Sequence, residues 1–248
     1  MPGDILVRTL ADVETIEADP LSHLKLPQST YHAIKDAATT YPDRVAFKKL
    51  LTGSAEEKPQ ILLYRDLITK IHQTANLLHE LNVGKDDAVT LLLPIIPETS
   101  ICLWAAAANG IANPVNSFLE TDHLVAIMRS GKAKVVIGCH PSIESTSWPR
   151  VQAIREQIPD LITIQLGGDG KNLDPGVIHF ETAISMQPDD HLVNGREPQG
   201  HDTCAYLHTG GTTGAPKLAR HHHQAQLLQC AGLDFLLGPQ DPSIGLLG

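Results

Sequence analysis

Apolar residues along this chain fall into two alternating patterns. Tyr31, Ile34, Ala37, Ala38 and Tyr41 recur at helical spacing. Ser29 or Thr30 can cap the start of that helix through a side-chain oxygen. Tyr41-Pro42 ends it, because a residue before proline disfavours the α region. Short apolar runs follow at 45–51 and 61–64, separated by a polar turn at 53–59. Leu67, Ile71, Ala75, Leu78 and Leu81 return to helical spacing, with Gly84 predicted as the stop. The run 88–93 is continuously apolar, as expected for a strand covered on both faces. Pro97 opens another helix, which Asn109-Gly110 stops.

The alternation continues. Val115 belongs to a predicted short strand. Thr121 or Asp122 caps a helix carrying Leu124, Ile127 and Met128, closed by Gly131. A strand at 134–137, a helix through Val151, Ile154 and Ile158, and a strand at 161–166 come next, then a turn at Gly167-Gly168-Asp169-Gly170. Strands alternating with helices predict βαβ units, hence the α/β class with a mainly parallel sheet and flanking helices. Residues 1–28 lack a strong period and read as a poorly ordered lead-in. Residues 29–170 read as an α/β sub-domain. The Pro- and Gly-punctuated stretch 171–200 reads as a connector, and 201–248 as the start of a second sub-region.

Composition narrows the picture. The chain has 248 residues, 42% of them hydrophobic, enough for a packed core. Nineteen basic residues face 28 acidic ones, a net charge of −9. This argues against a nucleic-acid partner, which calls for a basic patch. The acidic N-terminus does not fit a secretory signal. No apolar run approaches the ~20 residues of a membrane helix. Cys102, Cys139, Cys204 and Cys230 stand apart with no CxxC pair, which fits free thiols in a reducing, cytoplasmic setting.

The chemistry concentrates in Tyr206-Leu207-His208-Thr209-Gly210-Gly211-Thr212-Thr213-Gly214-Ala215-Pro216-Lys217, between a predicted strand at 203–207 and a helical segment from about His222 to Leu233. Its glycines allow positive φ and close approach to a ligand. Successive amides in such a turn form an anion-binding nest. Thr209, Thr212 and Thr213 add hydroxyl donors, and Lys217 adds a mobile positive charge. Together they describe a polyphosphate cradle. It is not a Walker loop, since Pro216 precedes Lys217 and Leu218 follows. Nor is it a GxGxxG fingerprint, since Gly210 and Gly211 are adjacent. A kinase- or GTPase-like phosphotransferase is therefore disfavoured.

The run from Thr209 to Lys217 resembles the phosphate-loop signature of the adenylate-forming superfamily, which includes acyl-CoA synthetases. Tyr41–Ala46, Tyr64–Leu67 and Gly110–Asn116 resemble further segments of that family, with a flavour closest to fatty-acid or related carboxylate–CoA ligases. The resemblance implies an incomplete N-terminal domain of the adenylate-forming fold. It also implies a two-step ligase reaction using ATP, Mg²⁺, CoA and a small carboxylic acid. Thr209, Gly210, Gly211, Thr212, Thr213, Gly214 and Lys217 would hold the β- and γ-phosphates; no catalytic or metal-binding residue is assigned. The family's later motifs for the adenine pocket, the ribose and the C-terminal lysine are absent from the sequence. The expectation is therefore a truncated ligase with little activity alone, or an inactive relative that binds nucleotide or a partner. Ile244–Leu247 resembles the beginning of a core strand, and apolar surface left uncovered there predicts association.

Other residues have plainer readings. His221, His222 and His223 are adjacent, which does not suit chelation from a helix, and read as a solvated helix start. Arg220 reads as a surface residue. His208 either shapes the loop or fills space. Cys102, Cys139 and Trp104 read as core, Trp148 as partly exposed, and Ala105–Ala108 as close helix-to-sheet packing.

Overall fold

The computed structural model describes residues 8–18, 25–50, 54, 56–209 and 217–237. In chain order the elements are α1 (Leu10–Glu17), α2 (Thr30–Thr40), β1 (Val45–Lys49), β2 (Gln60–Leu63), α3 (Tyr64–Glu80), β3 (Ala88–Leu92), α4 (Pro97–Asn109), β4 (Ile111–Pro114), α5 (Thr121–Ser130), β5 (Ala133–Cys139), α6 (Ser147–Gln157), β6 (Ile162–Leu166), β7 (Val177–His179), α7 (Phe180–Ser185), β8 (Thr203–Thr209), β9 (Lys217–His222) and α8 (His223–Leu237). A seven-stranded sheet has the order β7-β6-β5-β3-β4-β8-β9. Every neighbouring pair is parallel except β8 and β9. The predicted α/β class with a mainly parallel sheet is what the chain adopts. β8 and β9 extend the same sheet that the earlier strands build, and β1 and β2 form a separate antiparallel pair.

β3 lies at the heart of the sheet, and all five of its residues are buried. Leu91 packs with Ala106, Ile137 and Phe180 on one face, whereas Leu92 packs with Ile127, Val136 and Trp148 on the other. This is the period-two pleat with both faces covered. α3, α4 and α7 cover the first face, and α5 and α6 the second. A third cluster, Tyr31, Leu67, Ile71, Ala105 and Ala108, joins α2 and α3 to the outer side of α4. The alanine run therefore packs on both sides: Ala106 and Ala107 on the sheet, Ala105 and Ala108 on the helices. Within the first two helices of this layer, His72 is buried, donates from Nδ1 to the Asp189 carbonyl at 2.9 Å and accepts the Tyr31 hydroxyl at 3.0 Å.

Local signals set most boundaries. Ser29 caps α2, its hydroxyl accepting the His32 N–H. Pro97 occupies the first turn of α4, and Gly110 caps its end. A Cβ on Gly110 would sit 2.7 Å from the Asp87 carbonyl oxygen and 2.8 Å from that of Gly84, so only glycine fits there.

Several predicted positions shift. α3 is stopped by Asn82 at φ 60° rather than by Gly84. The Val83 N–H bonds the Leu78 carbonyl at 2.9 Å and the Asn82 N–H bonds that of His79 at 2.8 Å, a Schellman closure that asparagine tolerates. Glu120 precedes α5 without a side-chain cap, in place of Thr121 or Asp122. Val115 follows β4 and is not part of it. Trp148 is buried, not partly exposed, because α6 turns it onto the sheet.

Four elements had no clear sequence signal. α1 falls within the lead-in, where the Asp12 carboxylate accepts the Arg8 and Thr9 N–H groups at its start. β7 and α7 fall within the Pro- and Gly-punctuated stretch. β9 is a polar edge strand. Among the described residues no helix is long and apolar enough to cross a membrane.

Candidate functional site

The segment with the phosphate-loop resemblance begins and ends on two antiparallel strands, β8 and β9. β8 runs parallel to β4, so it ends at Thr209 on the same edge of the sheet where β3 and β4 end. β9 returns antiparallel, and Thr209 and Lys217 face each other as register partners. Both are exposed. Gly210, Gly211, Thr212, Thr213 and Gly214 lie outside the described residues, as do the predicted strand start Ile244–Leu247 and the end of the chain.

That edge is where an open parallel sheet binds ligands. From β3 the chain passes by α4 on one face to β4, then by α5 on the other face to β5, which lies on the opposite side of β3. The strand order reverses here, and the crevice outside the carboxyl ends at such a point is the usual ligand site. That point lies between β3 and β5; β8 lies beyond β4 on the other side of β3, and shares with them only the carboxyl edge of the sheet. Ile95 follows β3 and is 66% exposed; Phe118 follows β4 and is 76% exposed. Two large apolar side chains thus stand uncovered at the carboxyl edge of the sheet, a type of surface suited to the organic part of a ligand. His208 turns toward this region, its Nε2 accepting the Asn116 N–H at 3.4 Å.

The other end of the hairpin is clamped by a polar network. Arg196 donates to the Asn109 carbonyl at 2.7 Å and to the Asp202 carboxylate at 2.9 Å. Asp202 also accepts the Gln199 N–H at 2.9 Å. Burial pushes the Asp202 carboxyl up, but the Gln199 N–H and the Arg196 guanidinium outweigh it and hold it below the ordinary carboxylate value. After β9 the His223 N–H reaches the Asp202 carbonyl at 3.3 Å, and the Gln224 N–H reaches that of Gly200 at 2.8 Å.

His223 is fully buried, not solvated as the sequence suggested. Its Nδ1 accepts the Thr30 hydroxyl at 2.8 Å and the Thr30 N–H at 3.3 Å. Its Nε2 is buried with no hydrogen-bond partner among the described residues. Burial pushes the imidazole pKa down to about 4. His221 and His222 end β9 rather than begin a helix. Among the described residues no group of three His, Cys, Asp or Glu side chains is arranged to hold a metal ion.

Arg220 is exposed and donates to the Thr203 hydroxyl at 2.9 Å, as a surface residue would. Cys102, Cys139 and Cys204 are buried, and burial pushes all three thiols up, that of Cys204 to about 11. They are packing residues and not nucleophiles. Sequence reasoning missed Thr30, Asn109, Arg196, Asp202 and His223 as supports of the hairpin. Thr30 with His223 and Arg196 with Asn109 lie far apart in the chain, and Arg196 with Asp202, six residues apart, forms no motif, so no local spacing announced them.

A family model described as AMP-binding enzyme matches residues 34–247. The chain is 30% identical over 244 residues to a marinolic acid–CoA ligase of Pseudoalteromonas sp., covering 98% of this chain and 37% of that protein. It is 30% identical over 184 residues to a crotonobetaine/carnitine–CoA ligase of Salmonella arizonae, covering 73% of this chain and 34% of that protein. The crystal structure of an anthranilate CoA ligase in complex with anthranoyl-AMP has a similar fold, with a TM-score of 0.69 and 22% identity over 83% of this chain and 37% of that one. The chain spans about a third of the length of these relatives.

Proposed function

The chain belongs to the AMP-binding enzymes, and on that premise we propose that it supplies the ATP-phosphate-holding part of an AMP-forming acid–CoA ligase. The observation that supports this reading is the pairing of Thr209 with Lys217 at the two ends of a Gly- and Thr-rich sequence, at the carboxyl edge of the parallel strands. In this reading the amides and hydroxyls of Thr209, Gly210, Gly211, Thr212, Thr213 and Gly214 donate to the β- and γ-phosphates. Lys217 offsets their charge as it grows on the leaving pyrophosphate. A carboxylate oxygen of the acid attacks the α-phosphorus, and the bond to the β-phosphate oxygen breaks. The CoA thiol then loses its proton, attacks the acyl carbon and displaces AMP.

Magnesium would enter with the nucleotide and neutralise phosphate charge; this fits a loop whose donors are hydroxyls, amides and one ammonium, with no carboxylate. The exposed Ile95 and Phe118 are consistent with a small organic acid as substrate, of the fatty or related type.

The test is Mg·ATP binding and AMP production by the wild-type chain and Lys217→Ala, with a panel of carboxylic acids. Binding lost in the variant, with AMP and pyrophosphate released by the wild type, supports the ligase reading. Binding without turnover assigns the chain to nucleotide binding alone. Equal binding by both proteins removes Lys217 from the site, and release of ADP instead of AMP overturns the reaction class.

A further inference from the structure

β8 is joined to its two neighbours very unequally. Toward β9 the register pairs continue to the last residue, Thr209 with Lys217. Toward β4 the parallel ladder holds a single registered pair, Ala112 with Ala205. Beyond that pair a side chain adds a hydrogen bond to the packing of the two strands: the imidazole of His208, whose Nε2 accepts the Asn116 N–H at 3.4 Å. Asn116 organises the turn after β4: its Oδ1 accepts the Phe118 N–H at 2.9 Å, and its carbonyl accepts that of Leu119 at 3.2 Å. The turn carries the 76%-exposed Phe118. His208 immediately precedes Thr209, where the phosphate loop begins.

An imidazole nitrogen that accepts an N–H carries no proton, so the ring proton of neutral His208 sits on Nδ1. We propose that His208 is a positioning residue: its unprotonated Nε2 fastens the Asn116–Leu119 turn to the end of β8, next to Thr209, and so sets the place from which the proposed phosphate loop departs. The assignment rests on the reading of 209–217 as a phosphate loop. An apolar side chain at 208 leaves the Asn116 N–H without this acceptor and removes the hydrogen bond between the end of β8 and the turn after β4. A glutamine preserves the connection, because its Oε1 can stand where Nε2 stands.

Two measurements on the full chain test the proposal. Nitrogen-15 NMR of the histidine rings in mildly alkaline buffer should show the Nδ1–H tautomer for His208, and the Asn116 amide should exchange faster in His208→Leu than in wild type or His208→Gln. An Nε2–H ring, or equal exchange in all three proteins, overturns the tie whether or not nucleotide binds. Titration with Mg·ATP should show about a tenfold weaker affinity for His208→Leu and a near-native one for His208→Gln. Equal losses in both variants would reduce His208 to a packing residue, and unchanged affinity in both would separate the turn from nucleotide binding. If wild type binds no Mg·ATP, the phosphate-loop reading fails and the tautomer and exchange results still decide the tie.

Discussion

The two ends of the β8–β9 hairpin are built on opposite plans. The foot is a dense network in which Arg196, Asp202, His223 and Thr30 join three helices and a connecting segment, and it contains no recognisable motif. The tip consists of exposed residues around a motif, with strand pairing on one side and the His208 hydrogen bond on the other. The difference teaches where stability and ligand affinity should separate. Damage at the foot should reduce stability. Damage at the tip should reduce phosphate binding while leaving the fold intact.

The largest expected effect is a loss of stability with acid, which reports on the foot. The folded chain holds His223 neutral down to about pH 4, whereas an exposed imidazole takes up its proton near 6.5. The contribution of His223 is therefore complete above 6.5 and is lost as pH falls from there toward 4. One proton gives a slope of about 1.4 kcal/mol per pH unit, or about 3 kcal/mol over the window. Burial also holds His72 below its usual value, so the wild type should lose more than this. Denaturant unfolding of wild type and His223→Asn between pH 7 and pH 4 isolates the one residue, since asparagine can still accept from Thr30 but does not titrate. Equal slopes in the two proteins would mean that His223 is accessible to protons in the folded state.

Asp202→Ala should have the next largest effect. Arg196 would keep its charge in a site only 20% exposed, with the Asn109 carbonyl as its remaining partner. The expected loss is about 2 kcal/mol, a fall in Tm of roughly 4–8 °C for a chain of this size. Because the carboxyl of Asp202 is held low, its contribution persists above the ordinary carboxylate range and is lost only below it. That window lies beneath the one assigned to His223, so a pH series separates the two. Mg·ATP affinity, measured where the variant remains folded, should be close to wild type.

Lys217→Ala reverses the pattern. Lys217 is exposed at the tip, so its loss should cost less than about 0.5 kcal/mol in the absence of ligand. Wild type at a hundred times its dissociation constant should gain about 2.7 kcal/mol from Mg·ATP, and the variant should gain far less. Thermal melts with and without nucleotide read both quantities at once. A variant that melts several degrees early without ligand would show that the tip is structural after all.

What the sequence made legible follows the same division. β3 announced itself because a strand buried on both faces must be continuously apolar, and α4 because Pro97 and Gly110 mark its ends by their own chemistry. The tip was legible as a pattern because its glycines, hydroxyls and lysine stand at the places that the proposed phosphate binding calls for. The foot was illegible because it depends on contacts such as Thr30 with His223, 193 residues apart. β9 was missed because its sequence, Lys217–His222, has one large apolar residue, Leu218, and so shows no alternation to read. Leu218 and Ala219 are both only half-buried, between the exposed Lys217 and Arg220. Gly84 and His223 misled for a related reason: a glycine usually marks a helix end and adjacent histidines a solvated place, but here Asn82 takes the left-handed position of the Schellman turn and His223 fills a buried acceptor site.

The smallest expected effect is at Arg220, and it tests how far the tip extends. Arg220 and Lys217 are both exposed cations on β9, so charge alone does not distinguish them. Position does. Three residues along a strand place Arg220 about 10 Å from Lys217 and on the opposite face. Arg220 pairs with Tyr206 in register, and its guanidinium donates to Thr203, toward the foot and away from the loop. A single exposed hydrogen bond of this kind is worth well under 1 kcal/mol net. Arg220→Ala should therefore leave both the melt and the Mg·ATP shift within error of wild type. If the shift falls as it does in Lys217→Ala, the phosphate-binding surface reaches down the hairpin, and the two ends share ligand binding instead of dividing it from stability.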